Sequence, residues 1–156
     1  MNRIVVIRIR GIVGASKEVR DTLYLLKLRK TNVAAIYRKD PSIIRMIKKV
    51  EPWVAWGEIN KEVFKQLLLK RGRLARNRRF TEEYLKNTLK ITLDEFVNKF
   101  FNLEMEIEDI PGLKPFFRLK PPSGGYPRKG IKYSYKEGGA YGYWGEDINN
   151  LLISMI

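Results

Sequence analysis

The chain has 156 residues, 31 Lys plus Arg against 17 Asp plus Glu, a formal charge of +14, and neither cysteine nor histidine. A chain of this length can bury a core without disulfides or metal, and the missing cysteines exclude a disulfide framework and thiolate metal sites. The usual general base at neutral pH and the commonest metal ligand are absent with histidine, while the charge points to a polyanionic partner such as nucleic acid.

No uninterrupted apolar run approaches the roughly 20 residues of a membrane-spanning helix. Arg8 and Arg10 break up the N-terminal MNRIVVIRIRG, so it lacks the uncharged core of a secretory signal. It reads instead as the first strand of a cytosolic protein, spanning Ile4 to Arg10. Val5, Ile7 and Ile9 fall on one face; Ile4, Val6, Arg8 and Arg10 fall on the other. Gly11 and Gly14 mark a turn. Gly11-Ile-Val-Gly14 is not a dinucleotide fingerprint, because the spacing is wrong and the loop is hydrophobic.

Ser16 can cap a helix with the stripe Val19, Leu23 and Leu26, ending near Leu28. Val33 to Tyr37 is a second strand. Asp40 caps and Pro41 opens a second helix, with Ile43, Ile44, Ile47 and Val50 as its stripe. Pro52 stops it, and Trp53 to Trp56 forms a third strand ending at Gly57. The first 60 residues therefore read strand–helix–strand–helix–strand, a two-layer α+β arrangement in which both helices cover one face of a small sheet.

Asn60 can cap a third helix with Val63, Phe64, Leu67 and Leu68 on one side. Lys70 to Arg79 then packs six basic residues into ten. Arg71, Arg73 and Arg76 in this run are candidates for tracking phosphates. Thr81 to Leu103 is helical in two pieces, with Thr92-Leu-Asp-Glu95 as a capping box and Ile91 and Phe96 as its staple. Glu104, Glu106 and Glu108 alternate with Met105 and Ile107, which suits a short strand with one wet face. Pro115 to Lys120 reads as a strand, and 145–156 as a closing helix with the stripe Ile148, Leu151, Leu152 and Met155.

Residues 110–136 carry seven basic residues and no acid. Within the basic loop 115–141, prolines restrict the backbone, glycines permit tight bends, and tyrosines are interleaved with the cations. That combination suits a loop lying along folded RNA, with cations for phosphates and rings for unstacked bases. Residues 81–109 carry eight acids against three bases. The alternation suggests a molecule with a nucleic-acid side and a solvent or protein side.

Several motifs resemble a known family. Leu25-Leu-Lys-Leu-Arg-Lys-Thr-Asn32 and Pro41-Ser-Ile-Ile-Arg-Met-Ile-Lys-Lys-Val50 are similar to the large-subunit ribosomal protein numbered thirty in bacteria and archaea and seven in eukaryotes. Arg118-Leu-Lys-Pro-Pro-Ser-Gly-Gly125, Gly130-Ile-Lys, Lys136-Glu-Gly-Gly139 and Ile148-Asn-Asn-Leu-Leu152 resemble its archaeal and eukaryotic extension, in order. The resemblance implies a βαβαβ core over 1–60, related to the ferredoxin-like fold, with an extension over 61–156 packed on it. It implies a cytoplasmic ribonucleoprotein with no catalytic activity, cofactor, small-molecule substrate or membrane partner. Implied partners are large-subunit 23S-type rRNA, 5S rRNA in archaeal members, and neighbouring ribosomal proteins.

On that basis Arg8, Arg10, Lys27, Arg29 and Lys30 are assigned to the rRNA side of the core. Arg118, Lys120, Arg128, Lys129, Lys132 and Lys136 are assigned to phosphates, and Tyr126, Tyr133 and Tyr135 to stacking or bracing. Gly124, Gly125, Gly138 and Gly139 would permit close backbone packing. The alternatives are an RNA chaperone or ribosome-assembly factor, and a small acyl-phosphate hydrolase on a ferredoxin-like fold. The last lacks a visible nucleophile–base pair, and its basic groups are scattered along the chain.

Overall fold

The computed structural model describes residues 3–156; Met1 and Asn2, placed by the sequence reading in the first domain, lie outside the described residues. The core opens with β1 (Arg3–Arg8), α1 (Lys17–Leu25), β2 (Val33–Arg38), α2 (Pro41–Lys49) and β3 (Val54–Glu58). The expected caps form: Ser16 accepts from the Val19 amide and Asp40 from the Ser42 amide. β1 lies between β2 and β3 and is antiparallel to both, with Val5 opposite Ile36 on one side and Gly57 on the other. β2 and β3 with α2 between them thus form a split β-α-β unit around β1, the ferredoxin-like arrangement.

The first strand ends two residues earlier than expected. Its alternation holds, but both faces are buried. Ile4 and Val6 pack with Leu23, Leu26, Ile47 and Val50 of the first two helical stretches. Val5, Ile7 and Ile9 pack under α3 (Lys61–Arg71), α5 (Leu93–Phe101) and α6 (Ile148–Met155). The sheet is therefore the middle of three layers, and the helices after residue 60 supply the third. α3 contributes Val63, Phe64, Leu67 and Leu68, all buried. The Phe64 ring stacks on Phe100 at 4.4 Å, and Phe101 meets Phe64 edge-on at 5.7 Å.

Two short strands complete the sheet in the order β4-β2-β1-β3-β5. β4 (Phe116–Arg118) pairs antiparallel with β2, and β5 (Gly142–Tyr143) pairs parallel with β3, where the sequence suggested no strand. α4 (Glu82–Leu89) and α5 are the two expected pieces of the middle helix, and Thr92 caps α5 through the Glu95 amide.

The expected strand over Glu104–Glu108 does not form. Residues 107–109 make a single 3-10 turn, with the Glu106 amide donating to Asp109 and the Asp109 amide meeting the Glu106 side chain. The alternating carboxylates have a different cause: Glu106 turns inward to two arginines, Arg3 and Arg38. Among the described residues, no helix is long and apolar enough to cross a membrane.

Candidate nucleic-acid interface

The turn from Leu26 to Asn32 is a short, sharply bent connection between α1 and β2. Lys27 and Asn32 both adopt left-handed backbone, at φ +64° and +67°. Asn32 tolerates that conformation better than most residues. The bends expose Arg29 and Lys30 beside the sheet edge. There the β2–β4 register sets Val33 opposite Arg118. The result is a depression of about 130 Å³ lined by Lys27, Arg29, Lys30, Val33, Phe116 and Arg118.

Four cations from segments some 90 residues apart thus share one apolar-floored pocket with no carboxylate in its lining. Lys27 also reaches Glu108 at 3.5 Å. Among the described residues, Arg29, Lys30 and Arg118 have no carboxylate partner. The ordinary cost of holding like charges together is offset when a phosphate enters between them.

The basic loop docks beside this pocket. The Leu119 amide donates to Asn32 O at 2.9 Å, and Tyr126 Oη donates to Asn32 Oδ1 at 3.2 Å. Burial pushes the Tyr126 phenol up from its ordinary pKa. The ring braces the loop rather than lying open. Gly124 and Gly125 sit at φ +82° and +79° in a turn closed by the Gly125 amide on Pro122 O. A Cβ at either glycine would meet open space. Within the chain their value is conformational, and the space beside them leaves the backbone open to another surface.

Further along, the Gly130 amide closes a turn on Pro127 O at 2.8 Å, leaving Arg128 and Lys129 exposed at its corner. Lys120, Lys132 and Lys136 are also exposed. Tyr133 is half-exposed beneath Lys129, whose Nζ lies 5.6 Å from the ring centroid. Tyr135 stacks on Trp144 at 4.1 Å and donates to Asp147 at 2.7 Å, a bond that raises its pKa. Gly138 takes φ +98° against the Lys129 stem. Gly139 is the one glycine of the set that packs tightly, since a Cβ there would lie 2.0 Å from Tyr133 O.

Two assigned residues are placed elsewhere. Arg8 is only 5% exposed. Its Nε donates to Arg10 O at 2.9 Å and its Nη1 to Leu28 O at 3.3 Å, so it ties the end of β1 to the turn after α1. Burial lowers its pKa from the usual arginine value. Arg10 is half-buried, with its guanidinium 5.7 Å over the Trp53 ring.

The run after α3 closes into a hairpin, with Arg73 bridged to Arg79 and Leu74 and Phe80 buried as anchors. Arg71 ends α3. Arg73 Nη1 donates to Lys70 O and Gly72 O, while Arg76 stands exposed at the tip. This hairpin is tied through the Lys114 amide to Arg73 O rather than to the Asn32 turn. Phe116 in the pocket floor went unassigned from sequence; its position becomes visible only with the β2–β4 pairing.

Fold and surface together define a basic α+β protein on a split β-α-β sheet, with carboxylate-free groups of cations at one sheet edge and along one loop. A family described as ribosomal protein L30p/L7e matches residues 4–54, from β1 to the start of β3. Relatives extend the likeness through the remaining helices and the basic loop. The large ribosomal subunit protein uL30 of Methanopyrus kandleri is 44% identical over 148 residues, covering 94% of this chain and 99% of its own. Those of Nanoarchaeum equitans and Thermofilum pendens are 41% and 43% identical, each covering 97% of both chains. The chain belongs to the ribosomal protein L30p/L7e family. That family is structural and non-enzymatic, which removes the acyl-phosphate hydrolase alternative.

Proposed function

We propose that this protein is a structural constituent of the large ribosomal subunit, in the cytoplasm, and that it binds and stabilises large-subunit rRNA. The observation that carries the reading is the convergence of Lys27, Arg29, Lys30 and Arg118 on one pocket free of carboxylates. Exposed Lys120, Arg128, Lys129, Lys132 and Lys136 extend the cationic surface along the loop. Arg71 at the end of α3 and Arg73 and Arg76 in the hairpin would add a second contact. RNA duplexes would be met through backbone and shape, because A-form major grooves exclude side chains.

In this reading residues 61–156 serve two purposes. Their helices cover the second face of the sheet, and their loop completes the phosphate pocket that residues 1–60 begin. Neighbouring ribosomal proteins and 5S rRNA are the further partners, and a 5S transcript in the same binding assay tests the latter.

The test is salt dependence. Log affinity for a large-subunit rRNA transcript should fall linearly with log salt, and Lys30→Gln or Arg118→Gln should each reduce the slope by roughly 0.7–1. An affinity indifferent to salt contradicts the reading. Sucrose-gradient sedimentation separates it from an assembly factor: an integral constituent travels with the mature large subunit in near-equal amount.

A further inference from the structure

The loop between β1 and α1 is apolar where a surface loop is usually polar. Val13 is 99% exposed, Ile12 is 38% exposed, and Tyr24 on α1 is 59% exposed. The loop has a defined shape: the Ala15 amide closes a turn on Ile12 O at 2.9 Å, and Gly14 takes φ +82° in its third position. Such a turn needs a residue able to adopt left-handed backbone there.

Behind the loop lies a cleft of about 210 Å³. Its apolar walls are Ile12, Leu23, Tyr24 and Leu28, and its polar groups are Arg8, Arg20 and Arg29. The Arg29 guanidinium lies 4.3 Å over the Tyr24 ring. No carboxylate lines the cleft; of the nearby acids on α1, Glu18 faces Lys49 at 3.5 Å and Asp21 is exposed.

We propose that this cleft takes a single unpaired nucleotide of large-subunit rRNA. The proposal rests on the rRNA-binding reading above and adds to it a site for a base rather than a phosphate. A flat ring fits beside the Arg29–Tyr24 cation–π pair and against the Ile12 side chain. Arg20 and the outer edge of Arg29 then face the attached phosphates. A paired base cannot enter, because its faces are covered in the helix. An apolar protein surface would leave the exposed Arg20 and Arg29 without anions, and so charge complementarity favours the polynucleotide.

The experiment uses the full-length chain and an in vitro transcript of large-subunit rRNA. Tyr24→Ala and Ile12→Ser should each weaken binding by at least roughly 5-fold, the lower end for one stacked base, with the salt slope unchanged. Tyr24→Phe should bind as the parent does, since it keeps the ring. Arg29→Gln should lower both affinity and slope. Chemical probing should find an unpaired nucleotide protected by the parent and reactive with Tyr24→Ala.

Parent-like binding by Tyr24→Ala and Ile12→Ser overturns the proposal. If the parent still binds with a steep salt dependence, only the cleft assignment falls; if the parent does not, the rRNA reading falls with it. Variants that keep rRNA affinity yet fail to co-sediment with the subunit would assign the cleft to a protein neighbour, and that also overturns the proposal.

Discussion

Arg3 Nη1 donates to Glu106 Oε2 at 2.8 Å, joining the first strand to a turn 103 positions later. Arg3 is 1% exposed, so its charge needs full satisfaction. Its Nε donates to Phe100 O at 2.9 Å and its Nη2 to Met105 O at 3.0 Å, and the guanidinium lies 3.7 Å over the Phe100 ring. Glu106 also receives Arg38 Nε at 2.6 Å. Glu106→Gln leaves a buried cation facing a neutral amide and should cost about 1–3 kcal/mol in urea denaturation. Arg38→Gln removes the more exposed partner and should cost under about 1 kcal/mol. Equal effects would show that burial of Arg3 does not set the balance.

The same carboxylate predicts the acid limb of stability. Burial opposes its charge, yet the hydrogen bonds from Arg3 and Arg38 hold the Glu106 carboxyl below its ordinary pKa. A depressed carboxyl contributes stability above the unfolded pKa, about 4.3, and loses it as pH falls through the folded value. The denaturation midpoint should therefore drop below about pH 4.3, and less steeply in Glu106→Gln.

On the alkaline side the sign reverses. Burial pushes Tyr37 up from 10.0 to about 12, and the hydrogen bond to Glu58, followed by burial, pushes Tyr143 from 10.0 to about 12. In the unfolded chain these phenols ionise near 10, so their contribution is complete below that pH. It is lost as pH rises from 10.0 to about 12. Tyr143→Phe should flatten part of that loss in guanidinium titrations from pH 10.0 to about 12.

Asn149 holds α6 to the end of β3. Its Oδ1 accepts from the Asn60 amide at 3.0 Å, while its Nδ2 donates to Glu58 O at 3.0 Å and Glu146 O at 2.8 Å. Asn149→Ala strands one donor and leaves two carbonyls short. It should destabilise by about 2–3 kcal/mol, read from the thermal midpoint.

The two glycine pairs of the basic loop should behave differently. Gly139→Ala drives a methyl against Tyr133 backbone at 2.0 Å and should cost about 1–3 kcal/mol or open the loop. Gly124→Ala meets no atom and carries only the strain of φ +82°, about 1–2 kcal/mol. Gly124→Asn should recover part of that, since Asn tolerates this conformation.

Local signals carried much of the architecture. Ser16, Asp40, Asn60 and Thr92 each form the cap bond that their spacing suggested. The stripe Val63, Phe64, Leu67 and Leu68 is buried as its period required. The failures are those that depend on distant partners. The glutamates at 104–108 alternate like a strand, but arginines about 100 and 70 positions upstream capture Glu106. Arg8 resembles its neighbour Arg10 in sequence; carbonyls of Leu28 and Arg10 draw it inside. The unbroken Ile4-Val-Val-Ile7 run was the overlooked sign that β1 is covered on both faces, as continuous apolar strands usually are.

That double coverage has a consequence for how the protein is made. When the first 60 residues have left the ribosome, α1 and α2 can already close one face of the sheet, but Val5, Ile7 and Ile36 await partners as late as Leu152. At translation speeds of roughly 5–20 residues per second, the nascent sheet carries a naked oily face for several seconds. A growing chain in that interval is a natural client for a holding chaperone, and premature termination near residue 60 would leave a fragment prone to cluster with its own copies.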